Sequence, residues 1–462
     1  YLFFKNPNFT DSLIFLILFV GFGIKAGLIP FHSWLVDAHP ASPSNVSGFM
    51  SGLMIKMGIY GILRFLFFVE KPNLFLVYPI FIISIITGIL GILFSTFEKD
   101  LKKILAYSSI ENIGIIGIGI SLFLIGKYFG NILISTLAIS GTFIHIFNHS
   151  IFKPLLFYGT GNIYAKTHTK NIEELGGLIK LMPKTSYMMI LGSAAITGLP
   201  LLSGFFGELL LYLSSVLGIK ENSVAISFLS FVSIFSLSLI GSFALISFTK
   251  FSGITLLGLQ RKPSEHEIKE DMKFSLSSMY ILTTLMLLSG FFIPFVYRLF
   301  YKLINFYLKS SIDFSFTNEI LFKVFVVYII FIGIFVILFL IRELLLKNKK
   351  IYIEKVWDCG YQNGNIKMQY TASSYVQTLK NLFSILLIEK SHKDEIKDYF
   401  PGEKILKEER RDIFEKFLFS PSLNFLKNFF DMVSGIQKGS TQKYLLMGFL
   451  FIIISFLILL KV

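Results

Sequence analysis

The chain has 462 residues, of which 54% are hydrophobic and 53 are Phe, with a formal charge of +14. That is more apolar surface than a water-facing globule tolerates, so the bilayer is the expected solvent and a soluble enzyme is excluded. Lys and Arg lie mostly in loops between apolar runs, which argues against a nucleic-acid surface, and the single cysteine, Cys359, excludes a disulfide framework or a cysteine-held cluster within this chain.

From Tyr1 the sequence shows neither a start methionine nor a signal peptide, and an amino-terminal truncation is expected. The apolar runs are continuous rather than alternating, which predicts helices and not a barrel. The expected fold is an all-α membrane protein of about ten transmembrane helices, at 11–36, 44–69, 75–96, 103–126, 131–159, 184–217, 223–249, 274–298, 321–344 and 442–461. Two of these are too long for a simple crossing and contain helix breakers: Gly27 to Pro30 in the first, and Thr197, Gly198, Leu199 and Pro200 in the sixth. Discontinuous helices are predicted there, with Pro30, Gly198 and Pro200 at the breaks; in transporters such breaks mark ion sites. They lie five spans apart, which suggests a repeat in inverted orientation.

Charged groups inside the spans need an explanation, because each costs about 2.5–3.5 kcal/mol to insert at a bilayer centre. Lys25 precedes the first break. At about 100° per residue His32 returns to nearly the same helix face if the break preserves phase, so water could link the two. Alternatively Lys25 snorkels to an interface, and His32 caps the broken segment with Asp37 and His39. Lys56 stands among apolar residues on both sides with no interface within reach, whereas Arg64 reads as an end-of-helix anchor. Desolvation would let Lys56 exchange a proton near neutral pH. Glu111 follows Tyr107-Ser108-Ser109-Ile110 and precedes Asn112, polar neighbours for a water-linked carboxylate or for a structural bond between helices.

The spacing of His145, His149 and Lys153 forms one helical stripe. A metal is disfavoured there: no acidic third ligand stands beside the histidines, the HExxH pattern is absent and the lysine would repel a cation. A proton or water path is the expected use. Glu208 follows the second break as an exit or handover carboxylate. No P-loop, dinucleotide fingerprint or nucleophile elbow stands in a fitting context, and the chain is expected to bind no metal and no cofactor.

The loops 97–102, 160–183 and 250–273 carry about twice the Lys and Arg of the opposite side, which places them in the cytoplasm. The polar tail 345–441 falls on that side too. It holds a turn-rich stretch from Trp357 to Asn365 and a charged run around 403–411. Beyond that run, Phe414, Phe417, Leu418, Leu426, Phe429, Phe430 and Val433 recur at near-helical spacing around Lys416 and Lys427. An amphipathic helix is expected, lying on the interface or packed on a partner subunit.

The run Gly23-Ile24-Lys25-Ala26-Gly27-Leu28-Ile29-Pro30-Phe31-His32-Ser33-Trp34-Leu35, with Asp37-Ala38-His39-Pro40 after it, resembles the broken helix of the proton-translocating antiporter-like subunits. Respiratory complex I, Mrp-type cation/proton antiporters and membrane-bound hydrogenases share these subunits. Asp100-Leu101-Lys102-Lys103 to Gly114, and His145 to Lys153, continue the resemblance to about residue 250. Trp357-Asp358-Cys359-Gly360-Tyr361, Met368-Gln369-Tyr370-Thr371-Ala372-Ser373-Ser374 and Ser109-Ile110-Glu111-Asn112-Ile113-Gly114 resemble component B of hydrogenase-4 and formate hydrogenlyase. The resemblance implies Lys25 as the broken-helix lysine of the first half-channel, Lys56 as the central lysine and Glu208 as the charged residue at the second break. His145, His149 and Lys153 then fall on the polar central axis.

Members of that family place further helices before this region, one with a glutamate that pairs with the broken-helix lysine. The chain departs from the pattern there, and the first repeat is expected to be incomplete. The implied organisation is 1–250 as the translocation core, 251–344 as additional membrane helices, 345–441 as a cytoplasmic or interfacial segment and 442–462 as a terminal membrane helix. The implied function is a proton-translocating subunit of a hydrogenase-type or NADH:quinone-type oxidoreductase, in the cytoplasmic membrane. Other membrane subunits and a peripheral redox module holding iron–sulfur and nickel–iron centres are its implied partners. The alternatives are an Mrp-like monovalent cation/proton antiporter subunit, with sodium as a second ion, and a structural scaffold.

Overall fold

The computed structural model describes residues 9–66, 68–69, 71–261, 268–308, 314–349, 366–384, 388–393, 406–411, 413–437 and 441–459. The stretch Trp357 to Tyr361, with Cys359, lies outside them. The chain forms two compact units, Tyr1–Thr378 and Leu379–Val462.

In the first unit, α1 (Phe9–Ala26) and α2 (Ser33–Ala41) are the halves of the first broken helix. A crossing follows that starts as α3 (Ser44–Phe49), passes through a π-helical stretch at Met50–Met54 and continues as α4 (Ile55–Leu66). Then come α5 (Leu74–Phe97), α6 (Leu101–Tyr128) and α7 (Ile132–Thr167). Each of these three is started by a side chain that accepts the free amides of its first turn. Asn73 accepts from Leu76 N at 2.9 Å, Asp100 from Lys102 N and Lys103 N at 2.7 and 3.1 Å, and Asn131 from Ile134 N at 3.0 Å. Residues 104–126 of helix α6 are all buried, as expected of a helix ringed by others. Its neighbours are α2, α5, α7, α10 and α11.

After the short α8 (Leu178–Leu181), the second broken helix consists of α9 (Pro183–Ile196) and α10 (Ser203–Ile219). The carboxylate of Glu270, from a distant loop, accepts from Lys184 N and Thr185 N at 3.1 and 2.6 Å and so caps α9. The unit continues with α11 (Val224–Leu256), α12 (Lys273–Phe291), α13 (Ile293–Leu308) and α14 (Phe314–Leu346), then α15 (Ala372–Tyr375) and the start of α16 (Gln377–Leu382).

Among the described residues, eight helices are long and apolar enough to cross a bilayer, and Ser203–Ile219 and Tyr444–Leu457 are shorter apolar helices. Each of the ten expected spans meets one of these, and the protein is a multi-pass, nearly all-helical membrane protein. Several boundaries differ from expectation. The span foreseen at 274–298 ends at Phe291, because Pro294 sits in the first turn of a separate helix, where a proline is tolerated but would break a continuing one. Helix α7 has 36 residues, about 54 Å at 1.5 Å per residue, and outruns the expected 131–159 into the following loop.

In the second unit, two strands pair antiparallel, β1 (Ile388–Lys393) and β2 (Leu406–Arg411), with Ile388 opposite Arg411. No strand signal marks this segment in the sequence, since Lys407-Glu408-Glu409-Arg410-Arg411 offers no apolar alternation. A π-helical stretch at Glu415–Phe419 leads into α17 (Ser420–Gln437), the amphipathic helix, and α18 (Thr441–Leu459) closes the unit.

Candidate functional site

At the first break Gly27 adopts a φ of +88°, a conformation open to glycine and disfavoured for other residues. The freed backbone is satisfied by protein: Ile29 N donates to Thr87 Oγ1 on α5 at 3.1 Å, and Trp34 Nε1 donates to Ile24 O at 2.9 Å across the break. This turn does not preserve helical phase. Lys25 lies on the exposed face of α1, whereas His32 is 0% exposed. The shared face expected for the pair is therefore corrected by the geometry of Gly27. His32 occupies the N-cap position of α2 and makes no side-chain capping bond; its Nδ1 lies 3.2 Å from Pro30 O.

The second break uses the same device. Gly198 (φ +66°) and Leu201 (φ +75°) turn the chain between α9 and α10. A Cβ on Gly198 would stand 2.9 Å from Glu208 Oε2, so this glycine also makes room for the carboxylate that reaches back from α10. Pro200 lies in the same turn. On the neighbouring helix Asn148 Nδ2 donates to Ser203 O at 2.5 Å, tying the start of α10 to α7.

Between the breaks, buried polar side chains from three crossings meet. The π-helical stretch directly precedes Lys56; such single-turn widenings recur at functional sites. Lys56 is 8% exposed, and its Nζ donates back to Ser51 O and contacts His149 Nδ1 on α7. An ammonium is a donor only, so Nδ1 accepts and the proton of a neutral His149 sits on Nε2. On the same α7 stripe Lys153, 0% exposed, donates to Ser108 Oγ at 2.5 Å and to Leu105 O at 2.9 Å on α6. Ser109, on that turn of α6, is hydrogen-bonded to Ser51 at 2.8 Å between hydroxyl oxygens.

One turn further along α6, Asn112 bridges two titratable groups. Its Nδ2 donates to Glu111 Oε2 at 3.1 Å, and its Oδ1 lies 3.0 Å from His145 Nε2. Because an amide oxygen only accepts, His145 donates from Nε2. Glu111 is 1% exposed and lies within electrostatic reach of Lys153 and Glu208. Helix α10 approaches α7 here so closely that a Cβ on Gly207 would stand 2.6 Å from His145 Cβ, which sets the neighbouring Glu208 beside the same cluster.

Lys56, Glu111, His145, His149 and Lys153 are thus brought together on facing sides of α4, α6 and α7, with Glu208 at the second break beside them. Lys25 is not part of that contact network. Of the polar neighbours read beside Glu111, Asn112 hydrogen-bonds it, while the hydroxyls of Ser108 and Ser109 are engaged by Leu105 O, Lys153 and Ser51. Two positions were not foreseen as site residues. Asn112 entered the sequence reading only as a polar neighbour, and its place beside Glu111 was the available signal. His39 entered only as a cap; it is 0% exposed, stacked on Phe157 with 4.6 Å between ring centroids, and neither ring nitrogen has a hydrogen-bond partner. Nε2 of His149 and Nδ1 of His145 are likewise buried without a partner. Among the described residues no group of three or more His, Cys, Asp or Glu is placed to hold a metal ion.

Two broken helices flanking a buried line of Lys, His and Glu define an antiporter-like, multi-pass membrane protein. The chain belongs to the family described as NADH:quinone oxidoreductase/Mrp antiporter, TM, which it matches over residues 2–236. It is 36% identical over 280 residues to hydrogenase-4 component B of Escherichia coli K12, covering 60% of this chain and 42% of that one. It is 32% identical to formate hydrogenlyase subunit 3 of the same organism, over 54% of this chain and 41% of the relative. To NADH-quinone oxidoreductase subunit M of Rickettsia prowazekii Madrid E it is 34% identical, over 48% and 43%. The chain therefore spans about two fifths of the length of these curated relatives. In fold it is similar to a chain of the Mrp complex from Dietzia sp. DQ12-45-1b, with a TM-score of 0.55 at 18% identity over 69% of this chain and 62% of that one. It is also similar to a chain of a membrane-bound sulfane sulfur reductase, described as an archaeal respiratory membrane complex, with a TM-score of 0.54 at 22% identity over 65% and 57%.

Proposed function

We propose that the chain is a proton-translocating membrane subunit of a hydrogenase-type or NADH:quinone-type oxidoreductase. The contact between Lys56 Nζ and His149 Nδ1, sealed between α4 and α7, carries this reading. It sets an N–H donor against an acceptor whose own proton sits on the far ring nitrogen. Transfer of a proton from Lys56 to Nδ1 and release of the Nε2 proton would return His149 to a neutral form and pass one charge along α7. Lys153, Glu111 and His145 continue the line through Ser108 and Asn112, and Glu208 takes the proton over at the second break. The unpartnered nitrogens of His145, His149 and His39 are sites for bridging water.

Lys25 and His32 belong to the first half-channel in this reading, through the family resemblance rather than through contact with the buried cluster. Residues 1–250 form the translocation core, 251–344 further membrane helices and 442–462 a terminal membrane helix, in the cytoplasmic membrane with 345–441 on the cytoplasmic side. The redox chemistry belongs to partners: other membrane subunits and a peripheral module with iron–sulfur and nickel–iron centres. Their turnover would change the charge next to the axis and so shift its protons.

The test is to purify the chain with whatever accompanies it and to measure proton uptake by vesicles holding the complex. Nickel–iron and iron–sulfur subunits, with proton movement that stops when redox turnover stops, support the proposal. Exchange of sodium for protons without any redox partner would establish the Mrp-like alternative. An assembled complex that turns over without moving protons would leave a scaffold.

A further inference from the structure

Two cavities outside the buried axis lie side by side, with Tyr158 and Ser278 in the walls of both. The upper one, about 760 Å³, opens beside the α2–α3 turn on the side of the basic loops 97–102 and 160–183. Lys102 and Lys170 line it, and among the described residues no Asp or Glu does. Lys102 is 3% exposed, with Nζ 2.6 Å from Ser42 O, while Lys170 Nζ lies 3.1 Å from Pro40 O and 5.5 Å from the Tyr164 ring centroid. An ammonium carries three N–H groups, so each lysine keeps donors for another acceptor. The carboxylate of Asp100, within electrostatic reach of both lysines, accepts from the amides of Lys102 and Lys103.

The lower cavity, about 390 Å³, shares Tyr158 and Ser278 with the upper one. Three helices run through both in the same order. On α3 Ser44 and Asn45 line the upper cavity and Gly48 and Phe49 the lower, with Leu53 of the π-helical stretch below them. On α7 the sequence runs from Asn162 above to Pro154 and Ser150 below, and on α12 from Ser275 above to Ile281 and Leu282 below. The polar, lysine-bearing chamber therefore sits at the helix ends, and the apolar groove extends one to two turns deeper toward the hydrocarbon.

We propose that this pair of cavities binds one anionic glycerophospholipid, with its phosphate between Lys102 and Lys170 and an acyl chain in the groove lined by Phe49, Leu53, Ile281 and Leu282. The order matches the molecule. A basic chamber between membrane helices attracts an acidic headgroup, and the groove beneath it is apolar where the chain must lie. Neither feature draws on the Lys56–His149 contact, so the site stands or falls independently of proton conduction.

The test is native mass spectrometry of the full chain released from nanodiscs containing phosphatidylglycerol or phosphatidylcholine. One phosphatidylglycerol per chain is expected to survive release, with phosphatidylcholine lost. Lys170→Gln should weaken retention about fivefold, the contribution of one lysine beside anionic lipid. Leu53→Trp, at a position 53% exposed where added bulk enters the groove and not the core, should weaken it while the melting temperature is kept. Equal retention of both lipids, or retention unchanged in Lys170→Gln, would overturn the site. So would displacement of the lipid by inorganic phosphate alone, or a photocrosslinker at position 53 that captures protein and no lipid.

Discussion

Replacing Lys56 by Met removes the ammonium and keeps most of the length of the side chain. Two buried acceptors, Ser51 O and His149 Nδ1, lose their donor, at roughly 1–3 kcal/mol for each group left unsatisfied. In return the protein no longer holds a lysine in the membrane interior, which costs about 2.5–3.5 kcal/mol on insertion scales. The terms are of like size and opposite sign, so net stability should change by less than about 3 kcal/mol and the variant should assemble. Proton flux should fall on the order of 10²-fold or more, the lower end of what a positioned proton-transfer group contributes. The assay is dye-monitored acidification of vesicles carrying the complex, with partner redox turnover recorded in parallel. Lys56→His, which restores a titratable nitrogen, should recover part of the flux. An assembled Lys56→Met complex that moves protons at the original rate refutes the axis, and one too unstable to assemble refutes the balance of terms.

Three further outcomes follow from the geometry. Asn112→Leu takes the bridge away from Glu111 and His145 and should cost about 2–4 kcal/mol for two buried polar groups left short of a partner; denaturant titration measures it, and a change below 0.5 kcal/mol (roughly the error of one bond) contradicts the bridge. Glu270→Ala uncaps α9 and should cost about 1 kcal/mol, read as a lowered melting temperature, with Glu270→Gln recovering part; equal melting of wild type and Glu270→Ala would show the cap to be idle. For Asp100, burial pushes the carboxyl above the usual carboxylate range, while the amides of Lys103 and Lys102 pull the other way. Its proton is then held more tightly in the folded than in the unfolded chain, so stability falls as pH rises from the unfolded pKa to the folded one and is level above it. Asp100→Asn keeps an amide oxygen for the cap and should flatten that slope in thermal unfolding between those limits; an unchanged slope assigns it to other groups.

The membrane spans were legible in the residue order because a run long enough to cross hydrocarbon must satisfy its backbone locally, and that requirement shows as continuous apolar stretches such as 75–96 and 103–126. The α7 stripe was legible for a related reason: His145, His149 and Lys153 recur at the spacing of one helix face, a property of a single element. The breaks were legible too, since Gly27, Pro30, Gly198 and Pro200 carry their conformational constraints with them.

What joins elements was not legible. Lys56 and His149 are separated by 93 positions, and no local pattern records that α3, the π-helical stretch and α4 would lie against α7. The divergence of Lys25 and His32 depends on the turn taken at Gly27, and the place of Asn112 between Glu111 and His145 exists only once α6 and α7 are side by side. The same holds for the two lysines of the upper cavity, which lie on different segments and share a chamber through packing alone. Residue order thus settled which parts of this protein enter the bilayer and where charge must be buried, because hydrophobicity and helical period are local quantities. Which buried charges touch was decided by helix packing, a nonlocal property set by the glycines and hydroxyls at the contacts between crossings.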